Sequence, residues 1–436
     1  MMKISNRDLD KFFNPQSIAV VGVSSKRFNF GGASYLSRII ECGYKGKVYP
    51  INPKAKEIMG VQVYPDLEAL PEVPDMAIVS LAAGRVPGLL ETCGRIGLKH
   101  IHLLSAGFGE ISTPEGNALE AEILRISKQN SLLVMGPNCL GPYCPPSGLT
   151  LYGESPGKSG PLGIISQSGG ITQRITEYAT FLNLGIEKAV SFGNATVLDG
   201  CDYLEYFAQD DAIEIIGMYL ESVGDGRRFL KIAKEVNLKK PIVLLLGGRT
   251  ETGAKTAASH TGAMGGSDAA WEAFSRQTGV ILVRTIEEWM DALIAVSMLS
   301  APQRSGVFVG SGGGGRIVIA GDIVSAEGLE VPDLSEASRD ALRRQILDVG
   351  SIVGNPLDSL SMSLDATHFS EVLDVVYKDA AFSMVLVERI IPRMIYHIED
   401  VGQDTTPAVI EYLRKHTGRK PTVVSIDYDG GSAELA

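Results

Sequence analysis

The sequence predicts an α/β protein of three doubly wound domains. Short β-branched runs alternate with amphipathic stretches along all 436 residues, the pattern of parallel sheets flanked by helices. Three of those runs pass straight into glycine- and serine-rich turns that open a helical pattern, the way parallel sheets present a ligand edge. Pro, Gly and Ser gather at 143–161 and the chain breaks again at 301–305, so the domains expected are 1–142, 143–301 and 302–436.

In the first domain, strand Ser17–Val23 leads through a helix near 32–42 to strand Lys47–Ile51. Further strands are expected at Met76–Leu81, His100–Leu104 and Ser131–Met135, completing a nucleotide-binding type of sheet. The stretch from Tyr143 to Pro161 reads as a linker. The second domain begins at Leu162–Ile165, continues through strands near Ile213–Leu220 and Pro241–Leu246, and closes with a helix over Thr285–Leu299. The third starts at strand Gly306–Gly310 and runs on to strand Thr422–Ile426.

Composition narrows the function classes. Hydrophobic residues at 44% and charged residues at 21% are ordinary for a globular chain. The net charge of −11 argues against nucleic acid as the main partner, while leaving room for a local basic pocket. No apolar run reaches the roughly 20 residues that span a bilayer, and Met1–Asn6 lacks a signal-peptide core, so no membrane partner is expected. The five cysteines (42, 93, 139, 144 and 201) show no metal-ligand or redox spacing, and no metal site is expected. A cytoplasmic protein fits these features.

Four segments carry chemistry. Ala257-Ala258-Ser259-His260-Thr261-Gly262-Ala263-Met264-Gly265-Gly266 sets one of six histidines among small residues. An imidazole presented this way suits a nucleophile that carries a phosphoryl group, and equally a hydrogen-bonded surface histidine. Ile164-Ile165-Ser166-Gln167-Ser168-Gly169-Gly170-Ile171 runs a strand into a helix and gathers hydroxyls and amides at a helix N-terminus, which favours a phosphoryl group. Tyr219-Leu220-Glu221-Ser222 puts a carboxylate at a strand's carboxyl end, where it could hold one ring nitrogen of a histidine or simply meet solvent. At the first strand's end, Gly22, Ser24, Ser25, Lys26, Arg27 and Asn29 precede a helix, and the second strand ends Asn52-Pro53-Lys54. The Gly-x-Gly-x-x-Gly fingerprint and its ribose-binding acid are missing, which removes a nicotinamide-dependent oxidoreductase. Two cationic sites around one pocket fit coenzyme A, or a structural turn with solvated lysines. Gly153–Ser159 imitates a P-loop but is one residue short and precedes a strand, so no ATP site of the chain's own is recognisable. In the third domain, Gly310–Arg316 again joins a strand to a helix, where it could approach a ligand or make a tight turn, and packing is the preferred reading.

Together these segments resemble the α subunit of NDP-forming acyl-CoA synthetases, relatives of succinyl-CoA synthetase. Gly136-Pro137-Asn138-Cys139-Leu140-Gly141, Ser105-Ala106-Gly107-Phe108-Gly109-Glu110 and Gly226-Arg227-Arg228-Phe229 add to the resemblance, which covers essentially the whole chain. It implies a Rossmann-like CoA-binding domain followed by two flavodoxin-like ligase domains. It also implies reversible conversion of acyl-CoA, ADP and phosphate to carboxylic acid, ATP and CoA. In that scheme His260 is phosphorylated, Glu221 orients it, and Ser166, Gln167, Ser168, Gly169, Gly170, Thr261 and Gly262 cradle the phosphoryl group. Gly22, Ser24, Ser25, Lys26, Arg27, Asn29, Asn52, Lys54, Ala106, Gly107 and Phe108 would line the CoA site, with Asn138 and Cys139 at the acyl substrate. ADP or ATP with Mg²⁺ would enter only through an ATP-grasp β subunit, in an α₂β₂ heterotetramer, or through the rest of a longer fusion. Leu246 stands where relatives usually carry Lys, and Val197 and Gly200 replace common acids, which argues against acetate as the substrate and leaves a larger or an unusual carboxylic acid open. A different class, a non-catalytic CoA- or acyl-CoA-binding regulator of the same fold, has no use for His260, Glu221 and the cradle together.

Overall fold

In the computed structural model, β1 (Ser17–Val21) is apolar after its first residue and buried throughout, as a central strand covered on both faces requires. The structure describes residues 5–24, 31–150, 152, 157–250, 253, 267–346, 349–391, 405–416 and 420–428. β1 pairs in parallel with β2 (Lys47–Ile51), which is followed by a small antiparallel ribbon of β3 (Glu57–Ile58) and β4 (Val61–Gln62). On its other side β1 pairs with β5 (Met76–Val79), and β6 (His100–Leu103) and β7 (Leu133–Met135) complete a parallel sheet of order β2-β1-β5-β6-β7. The chain order reverses beside β1, and a ligand crevice forms at the carboxyl ends of strands at such a point.

The second sheet has order β14-β13-β12-β10-β11-β8-β9. Its members are β8 (Gly141–Cys144), β9 (Leu149–Thr150), β10 (Leu162–Ser166), β11 (Ile186–Ser191), β12 (Ile215–Leu220), β13 (Ile242–Leu246) and β14 (Ile281–Val283). The five parallel strands follow the flavodoxin-like order, and β8 and β9 add an antiparallel edge. This corrects the linker expected from Tyr143. Tyr143 and Cys144 are buried strand residues, and prolines at 142 and 145 disguise a strand that pairs with β11 on one side and with short β9 on the other. Strand β11 also escapes a sequence reading, because Lys188 interrupts its apolar pattern; that lysine is buried and paired with Asp210.

One core runs continuously from a face of the first sheet into the second, joining Ile18, Val20 and Ile78 to Ile164, Val190 and Met218. The other face of the first sheet packs a separate core on the helices Val86–Ile96 and Pro114–Asn130. Trp289, from the helix Ile286–Met298, closes the second sheet by donating its indole N–H to Val243 O at 3.0 Å.

The chain forms two compact units, Met1–Ser297 and Met298–Ala436. The second unit holds a parallel sheet of order β16-β15-β17-β18. Its strands are β15 (Val307–Ser311), β16 (Leu357–Asp358), β17 (Met384–Ile391) and β18 (Thr422–Tyr428). Among the described residues, no helix is long and apolar enough to cross a membrane.

Candidate functional site

Strand β10 ends in Ser166, and the helix Gly169–Phe181 begins three residues later. Ser168 caps it by accepting from Ile171 N, 3.4 Å away. A Cβ on Gly169 would lie 2.8 Å from Leu140 Cγ, so that glycine is needed for packing, whereas a Cβ on Gly170 would meet nothing within 4 Å. The first amides of a helix have no intrahelical partner, and here they are presented at an unobstructed glycine. The Ser166 hydroxyl departs from its expected role: wholly buried, it donates to Ser168 O at 2.9 Å and accepts from Ser168 N at 3.1 Å. Ser166 shapes the turn from inside.

Gln167 also acts on its own chain. Its side-chain oxygen accepts from the backbone N–H of Glu221, and of Ser222 at 3.0 Å, so it ties the end of β12 to the end of β10. The Glu221 carboxylate, half-buried, accepts from Tyr219 Oη at 3.0 Å. Burial, reinforced by the Glu221 charge, pushes the Tyr219 phenol well above its ordinary range and keeps it a donor. Gly247, just past β13, leans on the same pair. A Cβ there would stand 2.4 Å from Tyr219 Oη and 3.0 Å from Glu221 Cγ. Beyond it, Arg249 Nε and Nη2 donate to the Asp268 carboxylate at 2.6 and 2.8 Å. That clasp joins the two ends of the segment that carries His260. His260, Thr261 and Gly262 themselves lie outside the described residues, as do Ser25, Lys26, Arg27 and Asn29.

A cavity of about 470 Å³ brings Gln167, Ser168, Gly169, Gly170 and Glu221 together with Ala106, Asn138 and Cys139. Leu104, Gln173 and Asn194 add to its walls, and none of the described walls is a cation. An anion here is therefore met by the helix N-terminus, and Glu221 is left as an acceptor suited to an imidazole N–H.

The floor of the cavity is braced by contacts between groups distant in the sequence. Asn194 Nδ2 donates to Glu110 at 2.7 Å and to Glu120 at 2.9 Å, and Thr196 donates to Glu120 at 2.9 Å. Glu110 also accepts from the N–H groups of Gly107 and Phe108, and Glu120 from Gly109 N at 2.7 Å. Burial works against the charged form of Glu110, but the bonds from Asn194 and the two amides outweigh it and hold the carboxyl below its usual value. Asn138, at φ 58°, is exposed, and its Nδ2 lies 3.5 Å from Asn194 Oδ1. Cys139 is buried with its thiol pushed up by burial, against Leu103 O at 3.7 Å. Beneath it His102, wholly buried, contacts Cys139 O through Nε2 at 3.2 Å, and Gly141 makes room for the ring.

The remaining expected residues sit on the first sheet's carboxyl edge. Gly22 follows β1 at φ 88°, and a Cβ there would be 2.1 Å from Ser80 O, so only glycine fits. Asn52, after β2, donates to Val23 O and accepts from Lys54 N and Ala55 N at 2.8 and 3.1 Å, which makes it a brace between the two strand ends. Ser24 is half-buried and Lys54 exposed at the same edge. Gly107, at φ 106°, carries the turn after β6. The Phe108 ring departs from its expected place: it is wholly buried in the core and anchors that turn from below. Among the described residues no cluster of His, Cys, Asp and Glu could hold a metal ion.

Comparison with known proteins identifies the two domains that carry these residues. Residues 16–145 match the model of a CoA binding domain, and residues 159–296 that of a succinyl-CoA ligase like flavodoxin domain. The α subunit of acetate–CoA ligase (ADP-forming) I from Pyrococcus furiosus is 39% identical over 330 residues, 74% of this chain and 71% of that one. The 4-hydroxybutyrate–CoA ligase (ADP-forming) of Nitrosopumilus maritimus is 35% identical over 382 residues, 86% of this chain but 53% of the relative. The chain thus spans about half the length of that relative. Among solved structures, the dinucleotide-forming acetyl-coenzyme A synthetase 1 of Ca. Korarchaeum cryptofilum, in complex with phosphate and ADP, aligns with a TM-score of 0.85. The identity there is 30%, over 99% of this chain and 90% of that one.

Proposed function

The chain belongs to the ADP-forming acyl-CoA ligases as an α-subunit-like member, and on that premise we propose how its residues divide the work. Inorganic phosphate adds to the thioester carbonyl of acyl-CoA and the CoA thiolate leaves, giving an acyl phosphate. An imidazole nitrogen of His260 then attacks the phosphorus and the carboxylate departs. Glu221 accepts the N–H of the other ring nitrogen, which fixes the tautomer and steadies the cation that forms. Ser168, Gly169 and Gly170 present amides and a hydroxyl to the phosphoryl oxygens, with Gln167 and Ser166 holding that turn in shape. Thr261 and Gly262 belong to the same cradle.

The observation that carries this reading is the cavity in which the helix N-terminus, Glu221, Ala106 and the Asn138–Cys139 turn face one space. CoA is assigned to the first sheet's carboxyl edge, where Gly22 lets the backbone pass close, with Ser24, Ser25, Lys26, Arg27, Asn29, Asn52 and Lys54 around it. Gly107 places Ala106 between that edge and the cavity. A partner carrying an ATP-grasp fold and Mg²⁺ completes the reaction by delivering ADP, in an α₂β₂ assembly in the cytoplasm. The division 1–142, 143–301 and 302–436 gives one domain to CoA and one to the phosphoryl relay.

The test is labelling. With an ATP-grasp partner, acyl-CoA and ³²P-phosphate, the chain takes up acid-labile label that His260→Asn abolishes, while the chain with ATP alone takes up none. Label that persists in His260→Asn refutes the assignment. CoA binding without any label favours the regulatory alternative.

A further inference from the structure

A second cavity, of about 140 Å³, lies beside the first, and Gln167 and Asn194 wall both. Phe192, Leu220, Val223 and Phe229 form its apolar side, and Ser222 and Asp199 supply polar groups. At the volume that a water occupies in the liquid, about 30 Å³, it has room for roughly four or five non-hydrogen atoms. The aromatic and leucine walls are almost wholly buried, so the space is rigid and favours apolar contents.

We propose that this cavity receives the tail of the acyl group, and that it selects an uncharged tail of about propyl size over acetyl and over a dicarboxylic acid. The proposal rests on the function assigned above, in which the reacting carbonyl occupies the larger cavity. A chain extending from that carbonyl past Gln167 and Asn194 enters the smaller space directly. Its charge preference follows from the lining. Among the described residues, no Lys, Arg or His lines it, and Asp199 is the one carboxylate there. The nearby guanidinium of Arg228 is already shared by Asp199, Asp202 and Glu205. A second anionic group placed here meets Asp199, and none of the described walls is a cation that would offset it. Burial, then the neighbouring Asp202 charge, already raises the Asp199 carboxyl, and a further anion compounds that repulsion.

Val223 is half-buried and so tolerates replacement. The experiment measures kcat/KM of the complex with its ATP-grasp partner for acetate, butyrate, hexanoate and succinate. One methylene in an apolar pocket is worth about 10-fold or more, so butyrate exceeds acetate by at least about 10-fold and succinate is not used. Val223→Phe lowers the butyrate-to-acetate ratio by about 10-fold or more, and Val223→Ala raises the hexanoate-to-butyrate ratio. Ratios that stay fixed in both variants overturn the proposal, as does efficient use of succinate. Labelling of His260 in the unaltered complex from butyryl-CoA and from acetyl-CoA, each with phosphate, is read separately. Absence of label from both brings down the underlying function, whereas labelling with fixed ratios brings down the pocket alone.

Discussion

The molecule builds the same strand–turn–helix twice and uses it differently. In the first unit β10 enters Ser166–Gly170, and in the second β15 enters Ser311–Gly315. Each turn has an acid on the next parallel strand over: Glu221 just past β12, and Glu388 within β17. At the first turn the helix has a serine cap, the Ser166 hydroxyl is satisfied within the loop, and Glu221 has no ion pair among the described residues. At the second turn the helix has no side-chain cap, the Ser311 hydroxyl is buried without a hydrogen-bond partner among the described residues, and Arg316 neutralises Glu388 at 2.5 Å. Gly312 packs against Ser363, where a Cβ would stand 2.5 Å from its hydroxyl. A glycine-rich turn at a sheet's carboxyl edge is therefore no evidence of a ligand until its acid and its cap are examined.

The largest effect expected from breaking this contrast is at Gln167. Gln167→Ala removes the acceptor for two backbone N–H groups and lets Glu221 drift, and a displacement of about 1 Å costs about 100-fold in rate. Steady-state kinetics with the partner measures the loss, and urea unfolding should show about 1–3 kcal/mol of destabilisation.

Next comes the floor of the site. Burial lowers the His102 pKa from 6.5 to about 4, so the unfolded chain binds the proton first as the pH falls. Stability is complete above pH 6.5 and declines toward pH 4, by up to about 3 kcal/mol for this group. His102→Gln can still donate to Cys139 O but does not titrate, so its unfolding free energy should change less between pH 7 and 4.5 than that of the unaltered chain. An identical decline in both proteins assigns the acid sensitivity elsewhere.

The smallest effect is the sharpest comparison. Gly170 and Gly315 are each the second residue of their helix, and a Cβ on either meets nothing within 4 Å. Alanine at each should add about 0.5–1 kcal/mol of stability or less, through helix propensity. Gly170→Ala should also slow phosphoryl transfer, because its methyl enters the cavity, and Gly315→Ala should not. Equal kinetics for the two variants removes the distinction between the turns.

Much of this was legible in the sequence, because strand-end motifs are local. Ser168–Gly170, Glu221, Ala106 and Asn138–Cys139 each follow an apolar run, and parallel topology alone carries such residues to one edge. What was hidden is long-range or inward-facing. Asn194 meets Glu110 across 84 residues, and no spacing rule connects them. Ser166 looked like a ligand but turned inward, and Phe108 belongs to the core, because a motif does not say which way a side chain points. The β8–β9 hairpin was masked by prolines that an edge position tolerates. The contribution of Gly247 emerges only where a missing Cβ leaves room for Tyr219 and Glu221.

The central claim is that phosphoryl transfer runs through the first turn with Glu221 serving His260, and one paired measurement addresses it. The initial rate of acid-labile ³²P uptake from acyl-CoA and phosphate is compared in Glu221→Gln and Glu388→Gln, each assembled with the ATP-grasp partner. Loss of the orienting carboxylate should slow labelling at least about 100-fold in Glu221→Gln. Glu388→Gln should label within about twofold of the unaltered chain, since it breaks only a partly exposed ion pair. Equal rates in the two variants, or a larger loss in Glu388→Gln, would contradict the assignment.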